Sequence, residues 1–147
     1  MAKRTSRVRI GKWPALTITR AGFQADELVY IAKANKSVRY PNGKRSAICY
    51  IGTTRNGVAR IASSAAWKAR DILSNHGFRH LDFYVITAQR KPRVNIPRKL
   101  ERALLMRFCE RYGSVPLGNS QGKKMVFQDE LDYFAYHKLD KVLDEYS

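Results

Sequence analysis

The chain has 147 residues, 44% of them hydrophobic and 11% aromatic, which suits one folded domain with a substantial core. No apolar run approaches the roughly 20 residues that a membrane span needs, and the two cysteines, Cys49 and Cys109, form no Cys-x-x-Cys pair, which argues against a disulfide framework or a zinc site. The 28 Lys and Arg against 12 Asp and Glu leave a net charge of +16, which implies a polyanionic partner, with nucleic acid ahead of membrane surfaces or acidic proteins.

Residues 1–27 carry Lys3, Arg4, Arg7, Arg9, Lys12 and Arg20 and one apolar alternation, Ala15-Leu16-Thr17-Ile18-Thr19, which predicts a basic arm able to contribute an edge strand. The start of the chain lacks the apolar stretch and small-residue cleavage site of a secretory signal, so a cytoplasmic protein is expected. Two strand-like runs follow, Leu28-Val29-Tyr30-Ile31 and Ile48-Cys49-Tyr50-Ile51-Gly52, and the Asn42-Gly43 pair between them favours a tight β-hairpin. Gly52-Thr53-Thr54-Arg55-Asn56 reads as a loop rich in helix-capping residues. Val58, Ile61, Ala65, Ala69 and Ile72 then recur at helical spacing, with Arg60, Ser64, Trp67 and Asp71 opposite and Gly77 as the stop. A third strand is expected over residues 80–86, followed by a basic surface loop, Arg90-Lys91-Pro92-Arg93.

A second helix is expected from about Pro97 to Tyr112, ended by Gly113. At 100° per residue Leu104, Leu105, Phe108 and Tyr112 share one arc, and Glu101 falls in its middle. That aims a carboxylate at the apolar side. A helix N-terminal Glu favoured by the macrodipole is one account, and a metal or phosphate role is the other. Phe127, Leu131, Phe134, Ala135 and Val142 mark one face of an acidic amphipathic helix, read as core cover or a self-association surface. Charge is uneven: residues 28–124 hold 20 basic and 4 acidic side chains, whereas 125–147 hold 2 and 6. The expected fold is α/β (α+β), a small central sheet of about three strands flanked by helices. Its core spans about 28–119, with a basic extension over 1–27 and a helical one over 125–147.

In these residues the chain resembles the GIY-YIG nuclease family. Leu28-Val29-Tyr30 stands at the first motif and Tyr50-Ile51-Gly52 reproduces the second; Thr54, Asn56 and Arg60 follow it, then Glu101 within an apolar helix pattern and Asn119 in Pro116-Leu117-Gly118-Asn119. The resemblance covers about Leu28 to Asn119. It departs from the family at Leu28 and Val29, and at Ser64, where many relatives carry a His that helps to activate water. Lys68, His76 and His80 are the candidate substitutes.

The resemblance implies a divalent-metal-dependent endonuclease that hydrolyses DNA phosphodiester bonds, with Tyr30, Tyr50, Arg60, Glu101 and Asn119 in the site. Restriction, repair and mobile-element or phage settings all stay open. Glu101 would hold Mg²⁺, with Mn²⁺ as a substitute, through one hard carboxylate, waters and a phosphate oxygen. Arg60 would fork onto the non-bridging oxygens. Phenol has a reference pKa near 10 and needs nearby cations to act as a base, a task for Arg60 and the metal. As the resemblance implies, Tyr50 would activate or orient the water, Tyr30 would hydrogen-bond beside it, and Asn119 would position the carboxylate or the substrate backbone. Lys36, Arg39, Lys44, Arg45, Arg55, Arg70, Arg90, Lys91, Arg93, Lys123 and Lys124 would track a double-stranded DNA backbone in a salt-dependent way. The acidic terminal helix is compatible with a homodimer. Two competitors are a non-catalytic nucleic-acid-binding protein that keeps the nuclease fold, and a ribosome-associated structural protein, which explains the charge but not Glu101.

Overall fold

The computed structural model describes residues 28–120 and 127–147, and along the first helix the side chains of residues 58–60, 62, 64–67 and 69 are outside that description. The arm over 1–27, its proposed edge strand, Lys123 and Lys124 therefore lie outside the described residues, as do the side chains of Val58, Arg60, Ser64, Ala65, Trp67 and Ala69. The elements in chain order are β1 (Leu28–Arg39), β2 (Arg45–Thr54), α1 (Gly57–His76), β3 (Leu81–Ile86), α2 (Ile96–Tyr112), a 3₁₀ turn (Glu130–Asp132) and α3 (Tyr136–Tyr146). The strands form an antiparallel sheet in the order β2-β1-β3, flanked by the helices, the α+β arrangement expected.

Strand β1 lies in the middle of the sheet and is buried on both faces from Leu28 to Ala32, so it reads as a continuous apolar run rather than an alternation. Val29 and Ile31 join Ile48 and Ile51 of β2 against Leu100, Ala103, Leu104 and Phe108 of α2 and Leu139 and Leu143 of α3. The other face carries Tyr30, Ala32, Ala34 and Cys49 against Ile61 and Ile72 of α1 and Phe78. Ala32 pairs with Tyr50 but Lys33 with Ile48, so Cys49 is an extra residue in β2. This bulge puts Cys49 and Tyr50 on the same side of the sheet, the side that faces α1.

Both strands of the hairpin run longer than their apolar segments suggest. The residues read as a loop at 52–54 are strand, because Tyr30 pairs with Gly52 and Leu28 with Thr54. Gly43, at φ 88°, supplies the left-handed residue of the turn, closed by Tyr40 N–H to the Lys44 carbonyl at 2.8 Å. The turn docks on the end of α2, where the Asn42 backbone N–H donates to Tyr112 O and its side-chain amide to Arg111 O, satisfying carbonyls that the helix leaves unpaired. Helix α2 is capped by Asn95, whose Oδ1 accepts from Arg98 N–H at 3.2 Å, and it stops at Gly113 in the left-handed region, the stop that its sequence predicts.

The continuous helix expected from Phe127 to Val142 is instead a 3₁₀ turn and a separate α3. The break follows from Glu130, whose carboxylate is 1% exposed: it accepts from the Gln128 N–H at 2.6 Å and pairs with Arg102 of α2, fixing the turn there. Leu139 and Leu143 carry the buried face of α3, Phe134 and Val142 pack beside them, and Leu131 is 37% exposed. The core-cover reading of this segment holds. Its acids have a second effect, since Asp129, Glu130, Asp140 and Asp144 pair with Lys99, Arg102, Arg107 and Arg111 of α2. The acidic end of the chain thus neutralises one side of α2, and the excess of positive charge stays on the rest of the described surface.

Among the described residues no helix is long and apolar enough to cross a membrane.

Candidate active site

The site is built on β1 and β2. Tyr30 and Tyr50 share the α1 face of the sheet, with ring centroids 5.7 Å apart and planes inclined by 41°. Gly52 makes this possible. A Cβ there would lie 2.6 Å from Tyr50 Cε1, 2.9 Å from Tyr30 Cζ and 3.0 Å from the Tyr30 hydroxyl oxygen, so both phenols fold over the space that a side chain would fill. Phe83 of β3 flanks Tyr30 from the other side at 6.2 Å. Burial pushes the Tyr50 phenol above its ordinary value, and the charge and hydrogen bond of Tyr30 and then the Glu101 carboxylate add to the effect.

Glu101 stands on α2 at the end of β2. It is half-buried, accepts a hydrogen bond from the Thr53 backbone N–H and faces the charge of Arg98; burial outweighs both and raises its pKa above the ordinary carboxylate range. The carboxylate lines an open cleft of about 490 Å³, together with Thr53, Thr54, Arg55, Asn95, Pro97 and Arg98. Among the described residues no group of three or more His, Cys, Asp or Glu side chains gathers at a point where a metal could sit.

Asn119 is a clamp on β2. Its Oδ1 accepts from Ile51 N–H at 3.0 Å and its Nδ2 donates to Ile51 O at 2.7 Å, so the carboxamide pairs with the outer edge of β2 as a neighbouring strand would. Gly118 N–H adds a bond to Cys49 O at 2.7 Å, and Leu117 N–H reaches the Tyr40 hydroxyl at 3.3 Å. Asn119 thus bonds directly between Tyr50 and Gly52 in the strand. In the described contacts its carboxamide holds the strand that bears Tyr50.

Of the three candidate substitutes for the missing His, only Lys68 meets the site: its Nζ lies 5.0 Å from the Tyr50 ring centroid and donates to Gly118 O at 2.9 Å. His76 and His80 are exposed at the far end of α1 and β3, where β3 pairs with Ala34, about 13 Å along β1 from Tyr30 at 3.3 Å per residue. His76 stacks near Phe78 and His80 sits 3.9 Å from Asp82. Arg60 is in α1, and its side chain lies outside the described residues.

Of the basic residues expected to follow a phosphate backbone, Arg55 lines the cleft. Lys36, Arg39, Lys44 and Arg45 are exposed at the opposite end of the hairpin, where the Arg45 guanidinium is tied to Ser37. Arg70, Arg90, Lys91 and Arg93 are exposed, with Lys91 Nζ held 5.2 Å over the Tyr133 ring. Sequence reasoning missed Arg98, Thr53, Asn95 and Gly118. Arg98 had a signal, since it precedes Glu101 by three positions on the same helix and so shares its face. The contacts of Thr53 and Gly118 come from strand pairing and loop closure, which leave no periodic mark.

Comparison of the chain with protein-family models, with curated proteins and with solved structures finds no match.

Proposed function

We propose that this protein is a divalent-metal-dependent endonuclease of the GIY-YIG type, acting in the cytoplasm on the phosphodiester bonds of DNA. The observation that carries the reading is a pair of phenols meeting over a side-chain-free strand position, with the half-buried Glu101 carboxylate close enough for its charge to act on Tyr50 and itself lining an open cleft with two arginines.

Glu101 suits Mg²⁺ in particular. A half-buried carboxylate opening on a polar cleft, with no further carboxylate, His or Cys gathered beside it among the described residues, fits a cation that keeps several waters and takes its remaining ligands from the substrate phosphate. When bound, the ion supplies Lewis-acid stabilisation of the phosphate and its leaving oxygen. The chain's own groups do the rest. Arg55 and Arg98 hold the phosphate in the cleft, and Arg60 of α1 is assigned the fork onto the non-bridging oxygens. Tyr50, backed by Tyr30, orients the attacking water, and Gly52 and Asn119 keep the phenol in place.

Single-turnover cleavage of a labelled DNA duplex in Mg²⁺ tests the assignment. Glu101→Ala is expected to lose at least 100-fold, the several kcal/mol of a catalytic metal site. Tyr50→Phe is expected to lose 10- to 1,000-fold, and full activity in that variant would reduce Tyr50 to a packing residue. A non-catalytic nucleic-acid-binding protein is the second reading. It draws on the engagement of Asn119 with the strand, and it predicts salt-dependent binding without cleavage.

A further inference from the structure

We propose that Lys68 is a positioning residue for Tyr50, locking the phenol ring and the loop that carries Asn119 into one unit; the inference rests on the nuclease reading above. Lys68 lies two helical turns beyond Arg60 on α1, is partly buried, and makes two contacts that converge on one place. Its ammonium lies 5.0 Å from the Tyr50 ring centroid, where a cation is held by the negative face of the ring, and it donates to Gly118 O at 2.9 Å. An ammonium has three N–H groups, so one charge serves both.

The loop leaves little room for another arrangement. A Cβ at Gly118 would stand 2.7 Å from Ile72 Cδ1, 2.9 Å from Cys49 O and 3.3 Å from Tyr50 Cδ2, so loop, helix and ring are in contact there. Tyr50 is thereby bounded by Gly52 and Tyr30 on its own sheet, by Gly118 from the loop and by Lys68 from the helix. Removing the ammonium would leave the Gly118 carbonyl without this donor and free one face of the ring. The phenol would then sample other rotamers, and reaction rates fall steeply when a reacting group is displaced by about 1 Å.

The test uses Lys68→Met, which keeps the length of the stem and removes charge and donor, and Lys68→Arg, which keeps both. Two quantities are read: kcat and KM on a DNA duplex in Mg²⁺, and the ring resonances of Tyr50 in ¹³C-tyrosine-labelled protein without DNA or metal. Lys68→Met is expected to lower kcat by about 10- to 100-fold with KM within about threefold, and Lys68→Arg to recover part of it. The Tyr50 resonances are expected to shift in Lys68→Met while those of Tyr84 and Tyr146 stay. Unmoved Tyr50 resonances overturn the proposal, and so does a variant that raises KM alone, which would make Lys68 a DNA contact. If the wild-type protein does not cleave, the nuclease reading fails, and the resonances still decide whether Lys68 positions the ring. Lys68→Gln takes the place of Lys68→Met should the latter not fold.

Discussion

Gly52→Ala is a one-carbon change with a calculable result. The added Cβ would meet Tyr50 Cε1 at 2.6 Å and Tyr30 Cζ at 2.9 Å, whereas carbon atoms settle at about 3.5–4.0 Å, so the two rings must retreat by about 1 Å. Backbone conformation raises no objection, because Gly52 is not among the described glycines with positive φ. Alanine would even regain roughly 0.5–1 kcal/mol of chain entropy in a strand. Overpacking of a filled site costs about 1–3 kcal/mol, which leaves a net loss of about 1–2 kcal/mol and a fall in Tm of a few degrees. The effect on chemistry should be far larger. Displacing Tyr30 and Tyr50 together by about 1 Å predicts a loss on the order of 100-fold in single-turnover cleavage from a protein that still folds. Circular dichroism melting and duplex cleavage measure the two halves. A variant with wild-type Tm and wild-type rate would show that the phenols do not rest on Gly52 and would refute the geometry of the site.

The other predictions follow the same contacts. Burial raises the Glu101 pKa, so ionising it in the folded state costs stability that is present at low pH and lost as pH rises through the folded value. Glu101→Gln should therefore raise Tm at pH 7 in EDTA, with the gain fading toward pH 4, while abolishing metal-dependent cleavage; no gain at pH 7 would contradict the assigned burial. Glu130→Ala removes the buried carboxylate that accepts from Gln128 N–H and pairs with Arg102, and should cost about 1–3 kcal/mol in urea denaturation, against a few tenths for Glu145→Ala on the exposed side of α3. Arg93 sits at φ 59° in the turn before α2, so Arg93→Gly should stabilise the protein by about 1 kcal/mol, and a loss instead would mean that the side chain makes a contact of greater value.

Much of the fold was legible because its signals are local. Asn42-Gly43 announces the hairpin, Pro97 and Gly113 bracket α2, and Gly77 ends α1; each acts through its own φ or missing N–H. The lengths of β1 and β2 were not legible, since Val38 and Arg39 and Gly52 to Thr54 join the ladder through backbone pairing rather than as part of an apolar run. The break in the C-terminal helix escaped notice for a different reason. Its cause is an ion pair between Glu130 and Arg102, 28 residues apart, and no helical period records that. In the candidate site, the sequence singles out Tyr30, Tyr50 and Glu101 by residue type and spacing, but what holds them was hidden. The pairing of Asn119 with Ile51 and of Lys68 with Gly118 spans 68 and 50 residues, distances over which a sequence shows residue types and not partners.

The central claim is that Glu101 and the paired phenols hydrolyse DNA with a divalent metal, and incubation of the purified protein with supercoiled plasmid in Mg²⁺ tests it most directly. Nicked or linear product that disappears in EDTA and in Glu101→Ala is the predicted result. Salt-dependent binding of the plasmid with no cleavage in Mg²⁺ or Mn²⁺, or cleavage that persists in Glu101→Ala, would contradict it.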